Sequence, residues 1–316
     1  MLLLLIDSLL LGDDVNAKDA YQAVLAEMRK HIAGQDEAME LMFISLVANG
    51  HALLEGVPGV AKTTMAKTLA NAVQAEFKRV QGTPDLQPND IIGYTYRDSD
   101  NSVKLKKGPV FTNILLVDEL NRTQPKTMSA LLETLEERQV SIAGQDLKLP
   151  NPFMAFATQN PLNIEGTVPL PKVLADRFMV KIDVGYPSME QEAEMLRIKE
   201  SEIALDVKKV IDTNAIMQMQ NDAKSIMMPD DVVQYITKIV DATRNDIHVV
   251  MGASPRADIA FMQCGKAKSL IEGRKEVTIS DIKFLAKPVL SHRIAVRATG
   301  GIGVKGIIDG IVATLQ

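Results

Sequence analysis

Residues 54 to 70 read LEGVPGVAKTTMAKTLA. An apolar run, HALLEG, is stopped by Gly56, as expected of a buried strand feeding a turn. Gly56, Gly59 and Ala61 keep the turn small. Lys62 and Thr63 follow, and TTMAKTLANAVQ then takes a helical apolar spacing. The order is strand, small-residue turn, helix. Backbone amides surround a phosphate only where the chain can wrap it closely. The start of the next helix adds a positive dipole end.

Gly56-Val57-Pro58-Gly59-Val60-Ala61-Lys62-Thr63, with Thr64 next, fits G-x-x-x-x-G-K-[ST] except at Ala61. The lysine supplies a point charge for the outer phosphates and the Thr63 hydroxyl a magnesium ligand. Alanine at the last glycine position is expected to keep a negative φ, with its methyl clear of the phosphates.

A phosphate-binding loop that hydrolyses needs a second strand bringing acids to the metal. NILLVDEL has that form: Ile114 to Val117 end in Asp118-Glu119. Asp118 would hold magnesium through its water shell, and Glu119 would polarise the attacking water. A third strand, FMAFATQNP, ends in Thr158-Gln159-Asn160, and the uncharged Asn160 amide suits a place beside the γ-phosphate. Arg177, in LADRFMV, and Arg256, in GASPRAD, are candidates to neutralise charge developing on the phosphate. In most proteins such arginines lie in surface ion pairs.

Strands alternating with helices up to FMVKIDVG argue for an α/β fold, a parallel sheet with helices on both faces. VSIAGQDLKLP reads as a hairpin with Ala-Gly-Gln-Asp at its tip. GYTYRDSDNSVKLKKGP reads as another, where Lys104, Lys106 and Lys107 form either a solvated face or a contact for an acidic partner. At GYPSMEQE strand-length runs give way to helical patterns. The expected division is residues 1–187 as a nucleotide-binding core and 188–316 as an all-helical lid.

The chain has 316 residues, a net charge of −5 and one cysteine, Cys264. The charge argues against a general nucleic-acid binder. A lone cysteine fits a reducing, cytoplasmic setting. Asp7 interrupts the leucine-rich start, so it matches neither a signal peptide nor an integral membrane segment. A short helix packed on the body or on a neighbouring subunit is expected there, with a weak membrane or partner contact as the alternative.

With these residues in view, the chain resembles a MoxR-type AAA+ ATPase over about 31–268. The resemblance is carried by HIAGQDEAM, GVPGVAKTT, TPDLQPNDIIG, VDELNRTQPKTMSALLETLEERQVSIAG, ATQNPLNIEGTVPLPKVLADRF and GASPRA. It implies ATP and Mg²⁺ as ligands. It makes Lys62 and Thr63 Walker A, Asp118 and Glu119 Walker B, and Asn160 sensor 1. Arg177 becomes an arginine finger for the neighbour's nucleotide, and Arg256 sensor 2, in cis or in trans. Ile32 to Gln35 would lie near the adenine. A head-to-tail ring, often a hexamer, follows. Remodelling of partner proteins is implied, with a von Willebrand factor A domain protein among the expected partners. Residues 84–111 and the hairpin at 139–149 match insertions of the group. Gly82 and Leu120 depart from the group's pattern without touching the expected chemistry. A nucleic-acid motor, a nucleotide-gated scaffold and a metal-chelatase motor subunit share enough of these features to stay open.

Overall fold

The computed structural model describes residues 16–160, 167–200, 206–297 and 303–315. The elements run α1 (Ala17–Arg29), α2 (Asp36–Val47), β1 (Ala52–Glu55), α3 (Lys62–Ala72), β2 (Phe77–Gln81), α4 (Pro88–Ile92), β3 (Gly93–Arg97), β4 (Val103–Lys107), β5 (Ile114–Asp118), α5 (Pro125–Glu137), β6 (Gln139–Ile142), β7 (Gln145–Lys148), β8 (Met154–Gln159), α6 (Lys172–Ala175) and β9 (Val180–Asp183). Then come α7 (Met189–Glu200), α8 (Thr213–Ser225), α9 (Asp230–Asn245), β10 (Val249–Met251), α10 (Pro255–Ile271), α11 (Ile279–Leu290), β11 (Ala295–Val296) and α12 (Val304–Thr314). The leucine-rich start, expected to pack as a helix, lies outside the described residues.

Five strands form one parallel sheet in the order β2-β5-β8-β1-β9. Successive side chains of a strand leave on opposite faces. Leu54, Leu116 and Phe156 therefore pack into one apolar cluster with α1, α2 and α3. Leu53, Leu115, Val117 and Ala157 pack on the other face with Met128 and Leu131 of α5. Burial on both faces explains why the central strands β1, β5 and β8 read as apolar runs.

Both hairpins form as expected. The β6–β7 tip is tighter than the sequence suggests: only Ala143 and Gly144 lie between the strands, at φ 51° and 78°. That is the left-handed pair of a two-residue turn. The region beyond Pro187 is not purely helical. Val249 and Met251 pair with Val296 and Ala295 in a short antiparallel ladder. The first apolar cluster runs on through Ile216, Ile239, Phe261, Leu285 and Ile308, so core and lid share one apolar interior. Lys268 reinforces the join. It reaches Glu40 of α2 at 2.8 Å and Glu272 at 2.7 Å, and lies 4.4 Å from the Phe284 ring centre. Cys264 is buried in the same interior, where burial pushes its thiol up to about 12. A thiol in that state is an inert apolar filler.

Candidate active site

In the sheet order, β5, β8 and β1 are adjacent, so their carboxyl ends open onto one place. That end of a parallel sheet is where ligands bind in open α/β folds. The loop after β1, Asp118 at the end of β5 and Asn160 just past β8 meet there. They line a cavity of about 300 Å³ with Pro58, Gly59, Ala61, Lys62, Thr63, Thr64 and Glu119. Gly56, Val57 and Val60 shape the loop without lining the cavity. A Cβ on Gly56 would lie 2.3 Å from the Val184 carbonyl oxygen, and Val60 is buried in the core.

The Lys62 ammonium donates to the Gly56 carbonyl, to Val57 O at 3.1 Å and to Asn160 Oδ1 at 3.4 Å. Burial lowers its pKa, against the raising charges of Asp118, Glu119 and Glu55. Asp118 is crowded with donors. Its Oδ2 accepts from Thr63 Oγ1 at 3.1 Å and from Arg79 Nη2 at 2.6 Å, and its Oδ1 accepts from Thr158 Oγ1 at 2.6 Å. Burial pulls the carboxyl up, but the bonds from Thr158, Arg79 and Thr63, with the Arg79 charge, hold it below the usual carboxylate range. Glu119 accepts from Asn160 Nδ2 at 3.2 Å and pairs with Arg122 at 3.3 Å.

A hydroxyl beside a carboxylate is a donor set suited to a hard divalent cation. Among the described residues no group of three or more His, Cys, Asp or Glu side chains could hold a metal ion alone. An ion at Thr63 and Asp118 would therefore share its ligands with nucleotide phosphates and water.

Ala61 overturns one expectation. Its φ is 63° and ψ 15°, so the left-handed conformation is kept although the residue is alanine. The loop needs that bend to turn from Gly59, itself at φ 89°, into α3. Gly82 overturns another. Its amide donates to Asp118 O at 2.6 Å, and a Cβ there would lie 2.3 Å from the Glu119 carbonyl oxygen. This glycine therefore presses on the backbone that carries both acids.

Arg177 and Arg256 stand apart from the phosphate cavity. Arg177 follows α6 and pairs with Glu136 of α5. Arg256 lies in the first turn of α10, whose cap Ser254 accepts from the Arg256 amide, and its Nη2 reaches Glu136 Oε1 at 2.7 Å. Both arginines line a second cavity of about 310 Å³, which shares no lining residue with the first. Asp176 knits this region together. It accepts from Ser254 Oγ and from Arg293 Nε, each at 2.9 Å. Buried Arg293 also donates to Met179 O at 3.0 Å and Phe178 O at 2.8 Å.

Ile32 is buried, while Gln35 donates to Gly185 O at 3.2 Å and lines a third cavity with Ile182 and Pro288. Arg79, Glu136, Asp176 and Arg293 are the residues sequence reasoning missed. No local motif marks them.

A model of the ATPase family associated with various cellular activities (AAA) matches residues 51–180, and a model of the AAA lid domain matches residues 241–302. Chaperone MoxR1 of Mycobacterium tuberculosis is 40% identical over 283 residues, covering 86% of this chain and 75% of that protein. The chain belongs to the MoxR family of AAA+ ATPases. The uncharacterized protein YeaC of Bacillus subtilis is 38% identical over 290 residues, 90% of this chain and 91% of that one. A solved structure from Cytophaga hutchinsonii superposes with a TM-score of 0.88 at 36% identity, covering 95% of each chain. As a MoxR-type ATPase the chain binds nucleotide and hydrolyses ATP, on a parallel core carrying a helical lid.

Proposed function

We propose that this chain is the Mg²⁺-dependent ATPase subunit of a head-to-tail ring, a hexamer, that remodels partner proteins. The observation that carries this reading is the separation of the two cavities. Lys62, Thr63, Asp118, Glu119 and Asn160 gather in one, while Arg177 and Arg256 gather in another. A chain with its phosphate loop and its arginines in separate cavities is suited to completing its site with a neighbour. That arrangement supports a trans role for both arginines. An arginine of one copy serving the loop of the next makes a heterologous interface, and a rotation that closes turns such an interface into a ring.

In this reading the amides of Gly59 to Thr64 and the Lys62 ammonium hold the phosphates. Thr63 and Asp118 hold the metal. Bound Mg²⁺ supplies positive charge to the phosphate oxygens. Glu119 takes the proton side of the attacking water, and Asn160 fixes the carboxylate through its amide. Arg177 and Arg256 of the adjacent subunit stabilise charge on the transferred phosphoryl group. Gln35 borders the base. Residues 1–187 act as the catalytic core and 188–316 as the lid, in a cytoplasmic setting.

The client side of the reading rests on the β3–β4 hairpin. Tyr94 and Tyr96 stand opposite Lys106 and Lys104 in the ladder, and the pair of rings is exposed. It is our choice for the surface that meets a client, and a von Willebrand factor A domain protein is the partner class the family resemblance favours. The test is ATP turnover per subunit against protein concentration, with Arg177→Ala alongside. Specific activity should rise with concentration, and the variant should bind ATP yet barely hydrolyse it. Flat turnover with a fully active Arg177→Ala would refute the shared site.

A further inference from the structure

Glu136 sits where a carboxylate is electrostatically out of place. It is the penultimate residue of α5, and Glu137 follows it. The carbonyl end of a helix carries partial negative charge and favours cations. The last turn of α5 holds no basic residue. Its C-cap, Arg138, sends its guanidinium away, to Phe153 O at 3.2 Å and Asn49 O at 2.5 Å. What compensates Glu136 comes from elsewhere in the chain. One oxygen, Oε1, takes both Arg177 Nη1 and Arg256 Nη2.

The two arginines need such a partner. They belong to different parts of the chain and face one anion. Burial, then the charge of Arg256, pulls down the pKa of Arg177. Asp176 is less available to them, since it is engaged by Arg293 and Ser254 and lies 3.9 Å from Arg256 Nε. The Glu136 side chain is 43% exposed, so it can leave without opening the core.

We propose that Glu136 is a stand-in for the neighbouring subunit's terminal phosphate. This rests on the reading that Arg177 and Arg256 serve that neighbour. In the lone subunit the Glu136 carboxylate occupies both guanidinium groups and holds them at one point. When a neighbour's nucleotide docks, its phosphate oxygens take those donors. The displaced carboxylate turns to solvent, because two anions cannot share the pair without repulsion. Glu136 thus sets how much of the interface energy is spent on releasing the arginines. It also keeps unassembled chains from collecting stray anions.

The test uses full-length chain in a Glu119→Gln background, which retains ATP without turning it over. Assembly with Mg²⁺ and ATP is followed by sedimentation velocity. Glu136→Gln keeps the shape and removes the charge. It should assemble at about fivefold lower protein concentration, the scale expected for releasing a half-exposed ion pair. Glu137→Gln, which alters a neighbouring carboxylate that accepts from Gln139 at 3.1 Å, should assemble like the parent. Arg177→Ala should assemble less readily. If Arg177→Ala weakens assembly but Glu136→Gln leaves it unchanged or weakens it, the stand-in role is overturned and Glu136 is a positioning group. If Arg177→Ala assembles like the parent, the trans reading itself fails.

Discussion

Ala61 adopts a backbone conformation that costs an L-residue on the order of 1 kcal/mol. Replacing it by glycine removes that strain. Ala61→Gly should therefore raise stability in denaturant melts by less than about 1 kcal/mol, because glycine's extra unfolded-state freedom takes back part of the gain. Glu119→Gln should leave ATP binding intact and cut turnover by about 10²- to 10⁴-fold, the range for losing a general base. Binding and hydrolysis measured on the same preparation would separate the two effects. Lys62, Thr63, Asp118, Glu119 and Asn160 were legible in the sequence because each belongs to a short run whose chemistry is local. Arg79 was not. It reaches Asp118 only because β2 lies beside β5, with Gln81 opposite Asp118. Glu136 meets Arg256, and Asp176 meets Arg293, across more than a hundred residues of chain, and no spacing rule records that.

Elements were readable in proportion to the regularity of their burial. The central strands β1, β5 and β8 are apolar runs, and they appeared where the runs stand, whereas β2 reads FKRVQ with only Val80 buried. The β10–β11 ladder is only a few residues long and lacks such a run. The last helix carries Gly306 and Gly310, which weaken its helical signal. Helix starts were marked more faintly. For α11 the cap is Thr278. Thr278 forms a capping box with Asp281, which Arg274 Nη2 meets at 2.6 Å. Thr278→Ala should cost about 1 kcal/mol of stability. In the sheet, Phe156 is fully buried, and Phe156→Ala should cost roughly 3–5 kcal/mol, read as a lower denaturant midpoint.

At the scale of the whole molecule, a continuous apolar interior joins core and lid. The described chain should therefore unfold in one calorimetric transition, with calorimetric and van't Hoff enthalpies in agreement. Two separate transitions would show that the lid melts by itself. Acid acts on the other apolar cluster, where His51 packs on Phe153. His51 Nδ1 accepts from the Ala155 amide at 3.0 Å, so its Nε2–H donates to Leu135 O at 2.9 Å. A second proton would eject that amide bond. Burial, aided by the Arg138 charge, lowers the His51 pKa to about 4. Burial and Arg293 likewise push His292 far down. Between about pH 6.5 and about 4 the unfolded chain takes up a proton at His51 that the native fold refuses. Stability should fall as the pH drops through that window, by at most roughly 3 kcal/mol from this residue. Denaturant midpoints against pH would show it, and His51→Gln should flatten the slope.

The two cavities that share no lining residue also set the rules for mixed populations. If one copy lends arginines and the next lends the loop, each defect damages a junction rather than a chain. A Lys62→Ala copy still offers good arginines, and an Arg177→Ala copy still offers a good loop. Blended in equal amounts at random, two inactive proteins would regain about one competent junction in four. A cell carrying both alleles would then keep an activity that neither allele supplies alone.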